Sequence, residues 1–479
     1  MTDTEPKTLQ KQLDQNLAII KQRFHHTTDL KIRDIQAAHL KASIVYIEGL
    51  IDSKRLQESV IRPLLHMAPV ERELVDYIRS NVIEAADATS SFHIQEISEG
   101  LVEGKAVLLL EGYSKAILVD VAEWKERSLE KPISERAPRG PIIGLTEKAS
   151  TNINLLRGAI KTPDFCVDTH QIGILAKTNV SILYLNGVVD KQVLQFVQNR
   201  LHAIKVKYVT ESRIVEEALE FRKSIFPLSQ TSERPDSIAS SLYEGRVAVL
   251  VDGTPRAIIV PSLFTDNIQT PDEYHTRYGR LTNRITRFIG FLLSIYIPAI
   301  FVALCNFHQS ELPEAFAKVL IPKGVLINPL FEMILLIFIF RTMIDIAFRL
   351  PQSLVILISL VGTITIGDSL VKVKLTHPFA LVIVAATFML TFLVLNKLVA
   401  AISTLRFLFL FLGAFLDFTG IIVGTTLVII YMAQLKSAGV PYLSPLIPFK
   451  PRELKDTIIR GDLKKLLNSE HSYLREDNG

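Results

Sequence analysis

The residues of this sequence that could do chemistry are few, and the most telling ones stand among apolar neighbours. Glu332, Arg341, Asp345, Arg349, Asp368 and Asp417 all fall in an otherwise apolar C-terminal part. Ionisable groups in such surroundings are costly, and they serve ion handling or pair with one another inside a bundle. Arg341, Asp345 and Arg349 are spaced i, i+4, i+8, so on a helix they share one face and can pair along it. Enzymatic chemistry finds no such footing. The histidines of the N-terminal part are scattered, and no H-E-x-x-H or G-x-S-x-G occurs. Gly104, Gly112, Gly245 and Gly253 belong to no G-x-G-x-x-G or P-loop, so they read as turn residues. With only Cys166 and Cys305, a disulfide framework and a cysteine metal cluster are both excluded. No catalytic residue, cofactor site or metal site is expected. No basic stripe with interleaved aromatics points to nucleic acid.

What positions these groups is a division of the chain near Arg287. Before it charges recur every few residues, whereas Leu, Ile, Val, Phe and Ala dominate from Phe288 to Leu435. That half lifts the apolar content of the 479 residues to 48% and the mean hydropathy to +0.29. Such a break marks a soluble part followed by a membrane part. The opening residues, Met1 to Leu17, lack the apolar core of a signal peptide, so the soluble part is expected to stay where it is made.

Five apolar stretches follow, at about 288–304, 325–348, 354–371, 378–395 and 407–435. Arg277, Arg280, Arg284 and Arg287 before the first, and Lys436, Lys450, Arg452, Lys455 and Arg460 after the last, both read as cytoplasmic. Five crossings would part those two ends. The second stretch, with Glu332 and the Arg341–Asp345–Arg349 face, is therefore expected to be an amphipathic helix, at an interface or in the bundle interior, beside four full spans. In the third stretch Ser359, Thr363, Ile366 and Ser369 fall near one face, with Asp368 adjacent. That face either lines water as a pore or lets helices pack closely. In the fifth, Gly413, Asp417, Gly420 and Gly424 form a helix-packing face, and Arg406 is expected to anchor the helix at an interface.

The soluble part is a duplication. Leu101-Val-Glu-Gly-Lys through Val119 lies without gaps over Leu242-Tyr-Glu-Gly-Arg through Val260, and Ser43 to Asp52 matches Ser181 to Asp190. Each copy predicts a buried strand (44–47, 182–185), then helices, then a hairpin (106–110 with 116–119, 247–251 with 257–260). Continuous apolar runs argue strands covered on both faces by helices. The expected divisions are an α/β subdomain over 1–132, a linker over 133–177, a second α/β subdomain over 178–275, a polytopic helical membrane domain over 276–435 and a cytoplasmic tail over 436–479. Thr151-Asn-Ile-Asn-Leu-Leu-Arg157 reads as a surface helix after the linker, or else as part of a ligand site.

Ser134-Glu-Arg-Ala-Pro-Arg-Gly-Pro141 with that segment, Ser232-Glu-Arg-Pro-Asp236, Pro271-Asp-Glu-Tyr274, Phe307-His308, Arg349-Leu-Pro351, Pro441-Tyr-Leu-Ser-Pro445 and Lys455-Asp-Thr-Ile-Ile-Arg460 together resemble the A subunits of GerA-type spore germinant receptors. The resemblance runs along nearly the whole chain. It implies a subunit in the spore inner membrane with its soluble region on the core side. Its partners would be a transporter-like B subunit that senses nutrient and a lipoprotein C subunit. Copies would form a ring, a pentamer, around a germinant-gated cation channel. The sequence departs from the family at Phe340 to Pro351, and at Gly362-Thr363 and Gly367-Asp368. Alternatives are a paralogue of the stage V sporulation AF type, which amplifies germination, and a secondary transporter, which should show inverted repeats among its spans.

Overall fold

The computed structural model describes residues 8–37, 39–68, 74–123, 141, 143–220, 223–268, 277–314, 317, 320, 325–347, 349–351, 369–394 and 398–450. They divide into two compact units, 8–220 with 229–261, and 223–228 with 262–450.

The first unit holds two five-stranded antiparallel sheets of the same strand order, β1-β2-β4-β5-β3 and β6-β7-β9-β10-β8. In the first, β1 is Leu30–Ala37, β2 Leu40–Ile47, β3 Ala88–Ser91, β4 Lys105–Leu110 and β5 Ala116–Asp120. In the second, β6 is Phe165–Ile172, β7 Thr178–Leu185, β8 Gln230–Ser232, β9 Val247–Val251 and β10 Ala257–Val260. The apolar run of β4 is buried on both faces because neighbouring side chains alternate. Ala106, Leu108 and Leu110 join the core formed with the helical residues 53–66 and 74–82. Val107 and Leu109 join the opposite core, under α1 (Leu13–Arg23) and α2 (Ile94–Val102). Burying each such side chain stabilises the fold by about 1.5–3 kcal/mol.

The duplication reaches further than the matched sequence. Asn16 accepts from the Gln10 N–H at 2.8 Å and donates back to its carbonyl at 2.7 Å. Asn152 does the same with Thr146, at 2.8 and 2.6 Å. The acids of the two hairpin turns also have matched partners: Glu111 accepts from the Leu13 N–H at 2.8 Å, and Asp252 from the Ala149 N–H at 3.0 Å. Each carboxylate thus sits at the N-terminus of the first helix of its copy, α1 or α3 (Ala149–Ala159), where negative charge is favoured. Asp190 caps α4 (Lys191–His202), which α5 (Ser212–Leu219) follows, as Asp52 caps the helix after it.

The segment 133–177 is not merely a linker. It supplies α3 and the whole edge strand β6, because Cys166 and Val167 pair into the ladder with Tyr184 and Leu183. Nor is α3 a surface helix. Arg157 is fully buried, and its Nε and Nη2 donate to the two carboxylate oxygens of Asp29, both at 2.9 Å. Thr27 donates to Asp29 at 2.6 Å and accepts from the Val167 N–H at 2.9 Å. This bidentate pair joins the two copies, and Phe165 lies under the guanidinium, 4.7 Å from it.

In the second unit α6 (Arg277–Phe307), α7 (Pro329–Ala347), α8 (Pro378–Leu393) and α9 (Val399–Gln434) pack lengthwise. By length and composition, 282–307 and 399–434 are long and apolar enough to cross a membrane. Two expectations change. The fifth stretch is not one helix: Asp417 has φ 56° and ψ −155°, and the chain reverses there. A Cβ on Gly420 would meet the Leu412 carbonyl at 2.7 Å, and one on Gly424 the Phe409 ring at 3.0 Å. Residues fifteen apart, as Phe409 and Gly424 are, would lie about 22 Å from each other on a straight helix. The second is a narrowing: of the two places expected for α7, an interface or the bundle interior, one of its faces takes the interior. Leu330, Met333, Leu336 and Ile337 are buried with residues of α6 and α8.

The tail also departs from expectation at its start. β11 (Lys436–Ser437) pairs with β12 (Val440–Pro441). Ser437 accepts from the Ser262 N–H at 2.9 Å and donates to the Leu228 carbonyl at 2.5 Å. Tyr442 is fully buried beside Phe226 and Phe264.

Arg157→Ala should leave the Asp29 carboxylate buried and unpaired, at a cost of about 3–5 kcal/mol. Calorimetry of the full chain in detergent should show the unfolding step of the first unit moved down by many degrees. A shift within experimental scatter would refute the structural role given to this pair.

Candidate functional site in the helical bundle

Helix directions follow from side-chain contacts. α8 is antiparallel to α6, since Gly290 packs on Leu390 and Leu393, and Phe301 on Phe379. α7 runs parallel to α8, with Glu332 at His377 and the Phe340 ring stacked 5.6 Å from Phe388. The first arm of α9 runs with α6: Ser294 meets Arg406, Ala299 meets Gly413, and His308 meets Asp417. The second arm returns, bringing Thr425 to the Tyr296 hydroxyl at 3.0 Å and Tyr431 to Ser224 at 3.1 Å.

The glycines allow these approaches. A Cβ on Gly413 would stand 2.6 Å from the Ala299 carbonyl oxygen, so α9 and α6 touch backbone to backbone there. Gly420 and Gly424 do not continue that face, because the chain has turned; they close the second arm on the first.

Asp417 sits at the turn, and both its oxygens lie 2.9–3.0 Å from His308 Nε2. The other ring nitrogen of His308 lies 2.9 Å from Glu311. Hydrogen bonds to Glu311 and then to Asp417 hold the His308 pKa above its ordinary value, favouring the imidazolium. At the same end of the bundle Glu332 is fully buried. One of its oxygens accepts from the His377 backbone N–H, and the other has no hydrogen-bond partner among the described residues.

Arg341 and Asp345 are half exposed, 3.9 Å apart, and Arg341 also donates to Ser403 at 2.8 Å. An exposed pair of this kind contributes little, about 0–1 kcal/mol. Arg349 is exposed beyond the end of α7, and Ser369 is exposed on a helical turn before α8. Ser359, Thr363, Ile366 and Asp368 lie outside the described residues.

Arg406 was expected at an interface and is instead interior, with 2% of it exposed. Its Nε donates to the Ser294 carbonyl at 2.9 Å and its Nη2 to the Thr391 hydroxyl at 2.5 Å. The guanidinium stands 5.0 Å over the Phe388 ring. Sequence reasoning missed this knot, and it missed His308 as the partner of Asp417. The signal available for the second was an acid inside an apolar run, which requires a partner.

A family model described as Bacillus/Clostridium GerA spore germination protein matches residues 18–471. Spore germination protein KA of Bacillus subtilis (strain 168) is 30% identical over 465 residues, covering 95% of this chain and 85% of that protein. Spore germination protein B1 of the same organism is 31% identical, covering 88% of each chain. Spore germination protein GerLA of Bacillus cereus is 27% identical over 95% of this chain and 94% of its own. A crystal structure of the N-terminal domain of the A subunit of the Bacillus megaterium spore germinant receptor GerK3 aligns with a TM-score of 0.44 and 28% identity, covering 54% of this chain and 97% of that one.

The raised pKa of His308 sets a pH dependence. Its contribution is fully present below the ordinary histidine value, about 6.5. It fades as pH rises through the raised value. Wild type should therefore melt above His308→Gln at pH 6, and the two should converge by pH 9. A melting difference that stays constant across that range would rule out the charged His308 contact.

Proposed function

Because the chain belongs to the Bacillus/Clostridium GerA spore germination protein family, we propose that it is the A subunit of a nutrient-germinant receptor and forms, with further copies of itself, a cation channel opened by germinant. The observation that carries this reading is the reach of the family match, which runs through both the duplicated soluble unit and the helical bundle.

The reversal at Asp417 supports an even number of crossings. Counting α6, α7, the stretch 354–371, α8 and the two arms of α9 gives six crossings. An even number returns the chain to the side it left, which keeps Arg277 to Arg287 and the basic tail together on the core side of the spore membrane. Each arm of α9, about 27 Å long at about 1.5 Å per residue, is long enough to span with little mismatch.

Within this bundle the stretch 354–371 is the pore-lining element, through Ser359, Thr363, Ile366 and Ser369. Its small and hydroxyl side chains suit water. Nutrient recognition belongs to a transporter-like B subunit, and a lipoprotein C subunit completes the receptor. The A-subunit ring, a pentamer, converts nutrient binding into ion release.

Cysteine accessibility tests the pore. The native thiols do not interfere: Cys166 and Cys305 are buried, and burial pushes the Cys166 pKa up to about 11. In spores carrying Ser359→Cys, Thr363→Cys or Ile366→Cys, a thiol-reactive blocker should slow germinant-triggered release of monovalent cations. Unchanged release with normal receptor abundance would mean that this stretch does not line the ion path.

A further inference from the structure

The turn between β6 and β7 has no role in the reading above. Ile174 and Leu175, at 75% and 76% exposure, are the barest large hydrophobic residues of the first unit among those described, and Tyr208 stands half exposed near them. The turn is held rigidly. The N–H groups of Ile174 and Leu175 donate to the carbonyls of Val206 and Lys207 at 3.1 and 2.8 Å. Gly173 has φ +115°, and a Cβ there would collide with the Ala176 carbonyl. Two aliphatic side chains are therefore displayed by the backbone, against the usual tendency to bury them.

Around them Lys177, Lys205 and Lys207 are exposed. None of the three forms an ion pair among the described residues, and neither 173–178 nor 203–210 contains an acid. The other copy has no equivalent: β1 ends at Ala37 and β2 begins at Leu40. The feature is an addition to one half of the duplication, and its packing does not explain it.

We propose that this tip, Ile174, Leu175 and Tyr208 ringed by Lys177, Lys205 and Lys207, docks on anionic phospholipid headgroups. Aliphatic side chains enter the acyl boundary, a tyrosine suits the interface, and lysine stems lie along the apolar surface with their ammonium groups on phosphate. A protein partner fits less well, because a convex tip with two aliphatics falls far short of the ~1,000 Å² that a stable interface needs. The chain also carries membrane helices, so a bilayer is always within its reach.

The test uses the full chain, one copy per nanodisc, with Leu175→Cys carrying an environment-sensitive fluorophore. Phosphatidylglycerol in the disc, or phosphatidylglycerol vesicles added to discs of phosphatidylcholine alone, should shift the emission to the blue. Exchanging Lys177, Lys205 and Lys207 together for Gln should weaken the vesicle response about a hundredfold, and salt should weaken it as well. A shift that is absent from every lipid, or equal in phosphatidylcholine and phosphatidylglycerol, overturns the proposal. So does a shift that requires several copies in one disc, which would assign the tip to a contact between chains.

Discussion

A helical run that reverses its direction leaves a strained residue at the bend, and side chains must hold it there. Asp417 meets that constraint. Its φ of 56° with ψ of −155° is a conformation that residues with a Cβ rarely adopt, and such a position costs about 1–3 kcal/mol unless its surroundings fix it. Here His308 binds the carboxylate, and Glu311 binds His308 from the other side. The arms then close only because Gly420 and Gly424 leave no side chain between them. From this one turn follow the return of the chain to residues 224–228 and the seating of Tyr442 between Phe226 and Phe264.

The soluble unit shows how two copies of one plan come apart where they touch. Gly49 and Gly187 are equivalent, and both have positive φ. Nothing lies near the place a Cβ would take at Gly187, whereas at Gly49 the Asn154 side chain already fills it. Arg157 and Asn154 are on the same helix, so α3 both packs against the first copy and ties it down electrostatically. The asymmetry makes one copy the support of the other.

Much of this was legible in the residues. The matched hairpins lie where their apolar runs and acid-Gly turns put them, since a continuous hydrophobic run of that length fits a strand buried on both faces. The edge strands escaped notice because β1 and β6 mix charged and apolar residues, and β3 and β8 are short and polar. The reversal in α9 escaped for the opposite reason: an apolar run around Asp417 has the same composition whether it is straight or folded back. Arg406 looked like an end-of-helix anchor because the apolar run was taken to begin at Phe407, while the helix begins at Val399. The third stretch carries its signal in small and hydroxyl side chains, a composition that packing and water share.

Arg406 has a mechanical consequence. It belongs to α9, but its bonds end on a carbonyl of α6 and a hydroxyl of α8. Sliding any of these three helices past another by one turn, about 5.4 Å, would strip a buried guanidinium of its acceptors. The three behave as a stator. Any motion within the bundle then falls to parts outside that frame, among the described residues α7. The stiffness of one side chain thus sets a fixed frame of three helices.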